Sequence, residues 1–155
     1  MAILPWQRPE IIGHSRLLND SFRHWTGRPL LEARAGDEAL ARALYQAPFV
    51  LVSHGTESDP LFNYANHSAQ NLWALGWDAF VGLPSRRSAE TDAQADRSTA
   101  LGSALSKGWV EGYSGIRITA DGRRFRIDGG VIWNLLDADG GMRGQAATFS
   151  RWEFL

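Results

Sequence analysis

The sequence predicts an α+β domain: a five-stranded antiparallel sheet with helices on one face, preceded by two N-terminal helices. Three observations carry that prediction. The stretch Tyr113–Phe149, YSGIRITADGRRFRIDGGVIWNLLDADGGMRGQAATF, holds three β-type runs joined by two tight Gly-containing turns. Its turns, Asp121-Gly122 and Asp137-Ala138-Asp139-Gly140, are hairpin signals, and strands joined by short turns pair antiparallel. Ahead of this meander lie a short strand pair and a series of helical segments. The order ββ-ααα-βββ buries its apolar sides by setting the helices against one face of the sheet.

The first helix is expected over about Pro9 to Trp25, where Ile11, Leu18, Phe22 and Trp25 recur on one helical face. Pro9 suits its first turn, and Gly27 followed by Pro29 stops it. After a connector containing Gly27, Pro29 and Gly36, Asp37 caps a second helix with Leu40 and Leu44 on one face. Phe49 to Ser53 is a continuous apolar run and reads as a buried strand. Asp59-Pro60 marks a turn, and Leu61 to Tyr64 is a second strand. Asn66 caps a short helix bearing Leu72, Trp73 and Leu75 that Gly76 closes, and Asp78 caps a further turn. Thr91 and Gln94 have capping-box spacing and open a helix to about Lys107, with Gly108 as its left-handed terminator. Leu101, Ala104 and Leu105 form its narrow, small-residued face.

Length and composition fit one domain. At 155 residues with 44% hydrophobic and 21% charged side chains, such a chain buries roughly 70% of the surface its unfolded form exposes. No repeat or linker divides it. Residues 1–48 read as an N-terminal helical extension, for dimerisation or as a cap, and 49–155 as the sheet-bearing domain. The absence of Cys excludes disulfides, thiolate catalysis and Cys-ligated metals. A formal charge of −1 provides no broad basic field for nucleic acid. Lys107 is the only Lys; codon bias accounts for the Arg excess, with planar anion recognition as the functional alternative. The first ten residues lack an apolar signal core and no run approaches a membrane span, so a cytoplasmic protein without membrane partners is expected.

That order of elements resembles a PAS domain. HGTESDPLFNYANHSAQNLW (His54 to Trp73), LPSRRSAE, YSGIRI, GRRFRI, VIWNLLDADG and GQAATF further resemble the MEKHLA family, in its standalone bacterial form, over roughly residues 10 to 150. This PAS-like domain also ends a class of plant homeodomain–leucine-zipper regulators, whose DNA-binding parts have no counterpart here. The resemblance implies a sensory or small-ligand-binding and protein-interaction module without its own output domain, acting as a homodimer or on a separate effector protein. The N-terminal helix is then a candidate dimerisation element. The alternative is a small cavity-type enzyme acting on a small polar or anionic substrate.

Candidate ligand-binding residues follow. Tyr64, Trp73 and Trp77 either stack a planar ligand or form core, and Asn66 stands beside them. Strand alternation puts Arg124, Arg126 and Asp128 on one face and Phe125 and Ile127 on the other. Either Phe125 and Ile127 point into the core and the arginines outward, or Arg126 and Arg117 look into a pocket, where buried Arg needs Glu90, Asp128 or an acidic ligand. A bulge at Gly129-Gly130 can reverse the parity beyond it, which leaves Trp133 and Asn134 unassigned to a face. Trp133-Asn134 followed by Gln145 resembles flavin-binding LOV domains, although Asn134 lies late in its strand and a Cys-free chain forms no cysteinyl-flavin adduct. Non-covalent flavin stays open; haem is not expected, because Thr91–Lys107 contains no His. His14, His24, His54 and His67 share no metal spacing, so His14 and His24 read as helix-surface residues. His54, near Ser53, Ser58 and Asp59, reads as strand-end turn chemistry rather than half of a catalytic dyad. Asp137 and Asp139 read as a hairpin turn rather than a calcium loop. No catalytic or metal-ligating residue is assigned.

Overall fold

The computed structural model describes residues 3–32 and 36–155. Helices α1 (Pro9–Thr26) and α2 (Gly36–Tyr45) precede strands β1 (Val50–His54) and β2 (Phe62–Ala65). Then come α3 (His67–Trp73), α4 (Trp77–Phe80) and α5 (Thr91–Lys107), followed by β3 (Trp109–Ile118), β4 (Arg124–Leu136), β5 (Met142–Phe149) and β6 (Arg151–Phe154). Residues 33–35 of the expected connector between α1 and α2 lie outside the described residues.

The antiparallel sheet has the order β2-β1-β5-β4-β3, with β6 also paired to β4. It therefore has six strands rather than five. The thirteen-residue β4 pairs β5 from Val131 to Leu136 and β6 from Phe125 to Asp128. Gly129, with φ +70°, sits at the break between the two partners. Phe125 and Ile127 face the same side as Gly130 and Ile132, whereas Val131, Trp133 and Leu135 enter the opposite core. The side-chain parity thus flips across the glycine pair, as a bulge requires.

Each side of the sheet has its own core. On one side α1 and α2 pack Leu18, Phe22, Leu40 and Leu44 against Leu51, Tyr64 and Trp133. On the other, Leu72, Trp73 and Phe80 pack against Val50, Val52, Phe125, Ile127 and Phe149. The N-terminal helices accordingly cover the face turned away from Phe125. The buried positions Ile11, Ser15, Leu18 and Phe22 form one stripe of α1, and Gly27 closes it at φ +78°.

Several helix ends depart from the sequence reading. Asn66 caps α3 by accepting from Ala69 N–H, but Ala74, at φ 59°, ends that helix before Gly76 is reached. Gly76 is the N-cap of α4, with Asp78 inside its first turn. Glu90, not Thr91, is the N-cap of α5, and the Gln94 amide turns back to the Ala89 carbonyl. Asp37 lies within α2 and pairs with Arg16 of α1. Leu105 is exposed, so the inner face of α5 is Arg97, Leu101 and Ala104. Asp137 accepts from the N–H groups of Asp139 and Gly141, the expected hairpin geometry. Among the described residues, no helix is long and apolar enough to cross a membrane and no group of three or more His, Asp or Glu is placed to hold a metal.

Candidate functional site

A cavity of about 60 Å³ lies between α5 and the sheet, lined among others by Trp73, Arg97, Leu101, Arg117, Ile127 and Gln145. Arg97 reaches it from α5 because positions 97, 101 and 104 form one helical stripe. Arg117 comes from β3, and both arginines are more than nine-tenths buried. Arg97 donates to Ser85 Oγ at 2.6 Å. Arg117 donates to the Ile116 carbonyl and the Tyr113 hydroxyl, each at 2.9 Å, with its guanidinium 5.4 Å from the Tyr113 ring centre. Among the described residues, neither makes an ion pair within 4.0 Å. Burial, reinforced by the neighbouring Arg117 charge, lowers the Arg97 pKa to about 10. The buried Trp73 indole N–H also lacks an acceptor among the described residues.

From Arg97 a directed hydrogen-bond chain runs across the cavity wall. Ser85, accepting from Arg97, donates its hydroxyl proton to His54 Nδ1 at 3.0 Å. His54 Nε2–H donates to Gln145 Oε1 at 3.3 Å. Gln145 Nε2 donates to the Leu101 carbonyl at 3.0 Å and to Asn134 Oδ1 at 3.1 Å, and Asn134 Nδ2 donates to the Leu105 carbonyl at 3.2 Å. This is the neutral tautomer of His54. Burial first, then the Arg97 charge, lower its pKa to about 4. The Ser85–His54–Gln145 contacts have the connectivity of a nucleophilic triad but not its electrostatics. An imidazolium forming there would face a guanidinium, and a neutral amide would stand where a carboxylate normally supports the positive charge. The arrangement therefore does not activate Ser85.

The residues expected at a site divide between the two faces. Trp73, Arg117 and Gln145 line the cavity, with Asn134 hydrogen-bonded beside them. Tyr64, Trp77 and Trp133 belong to the opposite core. The two tryptophans at spacing four part company because Trp73 ends α3 and Trp77 begins α4. Asn66 is a structural junction: its Oδ1 accepts from Leu51 and Ala69, while its Nδ2 donates to the Leu44 and Phe49 carbonyls. Arg126 is exposed, and Arg124 pairs with Glu90 at the surface. Phe125 and Ile127 face the core with Arg124 and Arg126 outside, whereas Arg117 turns inward.

Sequence reasoning missed Arg97, Ser85 and the role of His54. A lone Arg in register with Leu101 and Ala104 was the available signal for Arg97. Ser85 offers none. His54 bonds across 31 and 91 residues of sequence to Ser85 and Gln145, rather than to Ser53, Ser58 or Asp59. His14 is likewise no surface residue: it donates to Ser53 Oγ at 2.8 Å, and burial lowers its pKa to about 4.

The cavity does not fit a flavin. Its volume of about 60 Å³ is well below the roughly 300–1,000 Å³ of pockets that hold drug-sized ligands. The Asn134 and Gln145 amides that would meet an isoalloxazine edge bond instead to each other and to α5 carbonyls.

The PAS domain of a Colwellia psychrerythraea protein superposes with a TM-score of 0.65 at 13% identity, covering 76% of this chain and 95% of that one. The LOV domain of the Erythrobacter litoralis EL346 blue-light activated histidine kinase gives 0.57 at 19% identity, covering 71% and 98%. Both likenesses are of fold: an antiparallel PAS-type sheet with helices. Among curated proteins, the homeobox-leucine zipper protein HOX29 of Oryza sativa subsp. indica is 22% identical over 151 residues, 95% of this chain. Its counterpart in subsp. japonica is 22% identical over 136 residues, 86% of this chain. The chain spans only 18% and 16% of the length of these two relatives. The model of the MEKHLA domain matches residues 12–154, and the chain belongs to the MEKHLA domain family.

Proposed function

We propose that the protein is a PAS-like sensory module that binds a small ligand in the cavity beneath α5 and passes its occupancy to a separate effector or a second copy of itself. The observation that carries this reading is the cavity between α5 and the sheet, whose polar wall is tied to α5. Arg97 is part of that helix, and Gln145 and Asn134 donate to its Leu101 and Leu105 carbonyls. A ligand with different affinities for two positions of α5 shifts their populations by that difference in binding free energy.

A route to the opposite face exists at Asn134. Its side chain faces α5 while its backbone carbonyl accepts from Trp25 Nε1 of α1 at 2.9 Å. Because α1 already buries its apolar stripe against the sheet, the N-terminal helices serve better as a responsive cap than as an apolar dimerisation helix.

The test is a thermal-shift panel of acids, amides and alcohols of up to about six non-hydrogen atoms. It is run on wild type and on Ala147→Ile, which adds bulk to the cavity wall. Some compound raises the wild-type Tm and not that of the variant. If no compound acts selectively on wild type, and native mass spectrometry finds no co-purified small molecule, the ligand-binding reading fails.

A further inference from the structure

We propose that the cavity beneath α5 selects a short-chain carboxylate, held between the guanidinium groups of Arg97 and Arg117. This rests on the ligand-binding reading above and adds the ligand's charge, size and shape. Two buried cations face one small space, and among the described residues neither has a carboxylate within 4.0 Å. A buried charge without a partner is costly, and here each guanidinium adds to the cost of the other. An anion relieves both.

The donor inventory points the same way. Each guanidinium carries five N–H groups. Arg97 uses one contact, to Ser85, and Arg117 uses two, to Ile116 and Tyr113. Among the described residues, the buried Trp73 indole N–H has no acceptor. Two acceptors in the cavity wall are already engaged: Gln145 Oε1 by His54, and His54 Nδ1 by Ser85. Among the described residues the site thus has surplus donors, as a carboxylate-binding site requires. Planar, paired donation is what guanidinium groups offer a carboxylate.

Size and lining narrow the class. A volume of about 60 Å³ holds about four to six water-sized groups at ~10–15 Å³ each, which leaves no room for a nucleotide. Leu101, Ile127, Phe149 and the Trp73 ring supply apolar wall, so a hydrocarbon stub is accommodated as well as the charged end. That favours a small organic acid over a bare inorganic anion.

The experiment uses the full chain dialysed into carboxylate-free buffer at constant ionic strength. Sodium acetate and propionate are titrated against acetamide and propionamide, which match them in shape without the charge. Tm and calorimetric affinity are read for wild type, Arg97→Met, Arg117→Met and Arg97→Lys. Wild type binds the carboxylates at least about tenfold more tightly than the amides, a difference of about 1.4 kcal/mol. The Met variants lose the carboxylate-induced Tm shift, yet without carboxylate they melt no lower than wild type, because a buried unpaired charge has been removed. Arg97→Lys keeps a weakened response. Equal binding of amides and carboxylates, or an undiminished carboxylate shift in Arg97→Met, overturns the anion assignment while leaving the cavity reading intact. Absence of binding by any probe, with Ala147→Ile indistinguishable from wild type, overturns both. If the Met variants do not fold, the carboxylate-to-amide ratio in wild type decides alone.

Discussion

Substituting His54 by Gln removes a titratable group whose environment makes the fold sensitive to acid. In the folded protein its pKa falls from 6.5 to about 4, through burial and the Arg97 charge. The folded state therefore prefers the neutral ring, and between those two values the unfolded chain binds the extra proton. Stability from this group is complete above about pH 6.5 and is lost as pH falls toward 4. Integrated from pH 7 to pH 5, the two pKa values correspond to a loss of about 2 kcal/mol. The assay is urea unfolding followed by Trp fluorescence at pH 7, 6 and 5, for wild type and His54→Gln. The substitution also deprives Ser85 of its imidazole acceptor, so the variant is weaker throughout, and the informative quantity is the change with pH rather than the absolute value. Wild type loses about 2 kcal/mol more than the variant over this interval. The remaining dependence has the same sign and includes His14, whose folded pKa is also lowered to about 4. Equal pH dependence in the two proteins would refute the argument and show that His54 is solvated or charged in the fold.

Two further substitutions probe the frame around the site. Gly108, at φ +95°, lies where an added Cβ would come 2.3 Å from a Trp25 ring carbon. Gly108→Ala should therefore cost more than about 2 kcal/mol in chemical denaturation, of which roughly 1 kcal/mol is the backbone conformation; in a Trp25→Ala background only that smaller part remains. Asn66→Ala should cost about 3 kcal/mol, because it deletes the α3 cap and leaves the buried Leu51 N–H without its partner. Asn66→Asp, which keeps the accepting oxygen, recovers part of that loss in the same denaturation assay.

Much of the architecture was legible because local chemistry and burial agree along the chain. The apolar stripe of α1, the turns at Gly122 and Gly140, and the stop at Gly108 each follow from residues within a few positions of one another. The errors at element ends have local competitors as their cause. Ala74 takes the left-handed position two residues before Gly76, and Glu90 precedes a Thr91 that belongs to the helix itself. The sixth strand was missed because RWEF has no turn signal separating it from β5; it exists because β4 outruns β5 and leaves ladder positions to fill.

The site was less legible because its parts are far apart in sequence. Periodicity put Phe125 and Ile127 on one face and Arg124 and Arg126 on the other but left open which of the two the pocket takes, and the glycine pair announced a change of phase without telling which face Asn134 and Gln145 would take. The sequence by itself determined the α+β order, the Cys-free chemistry and the family resemblance, all of which rest on local pattern. Only tertiary structure decided that Arg97 and Arg117 meet in one cavity while Arg126 stays outside, and that His54 joins Ser85 to Gln145. Charge pairing and hydrogen bonding depend on distances in space, and the strand order that brings β1, β4 and β5 together beneath α5 sets those distances.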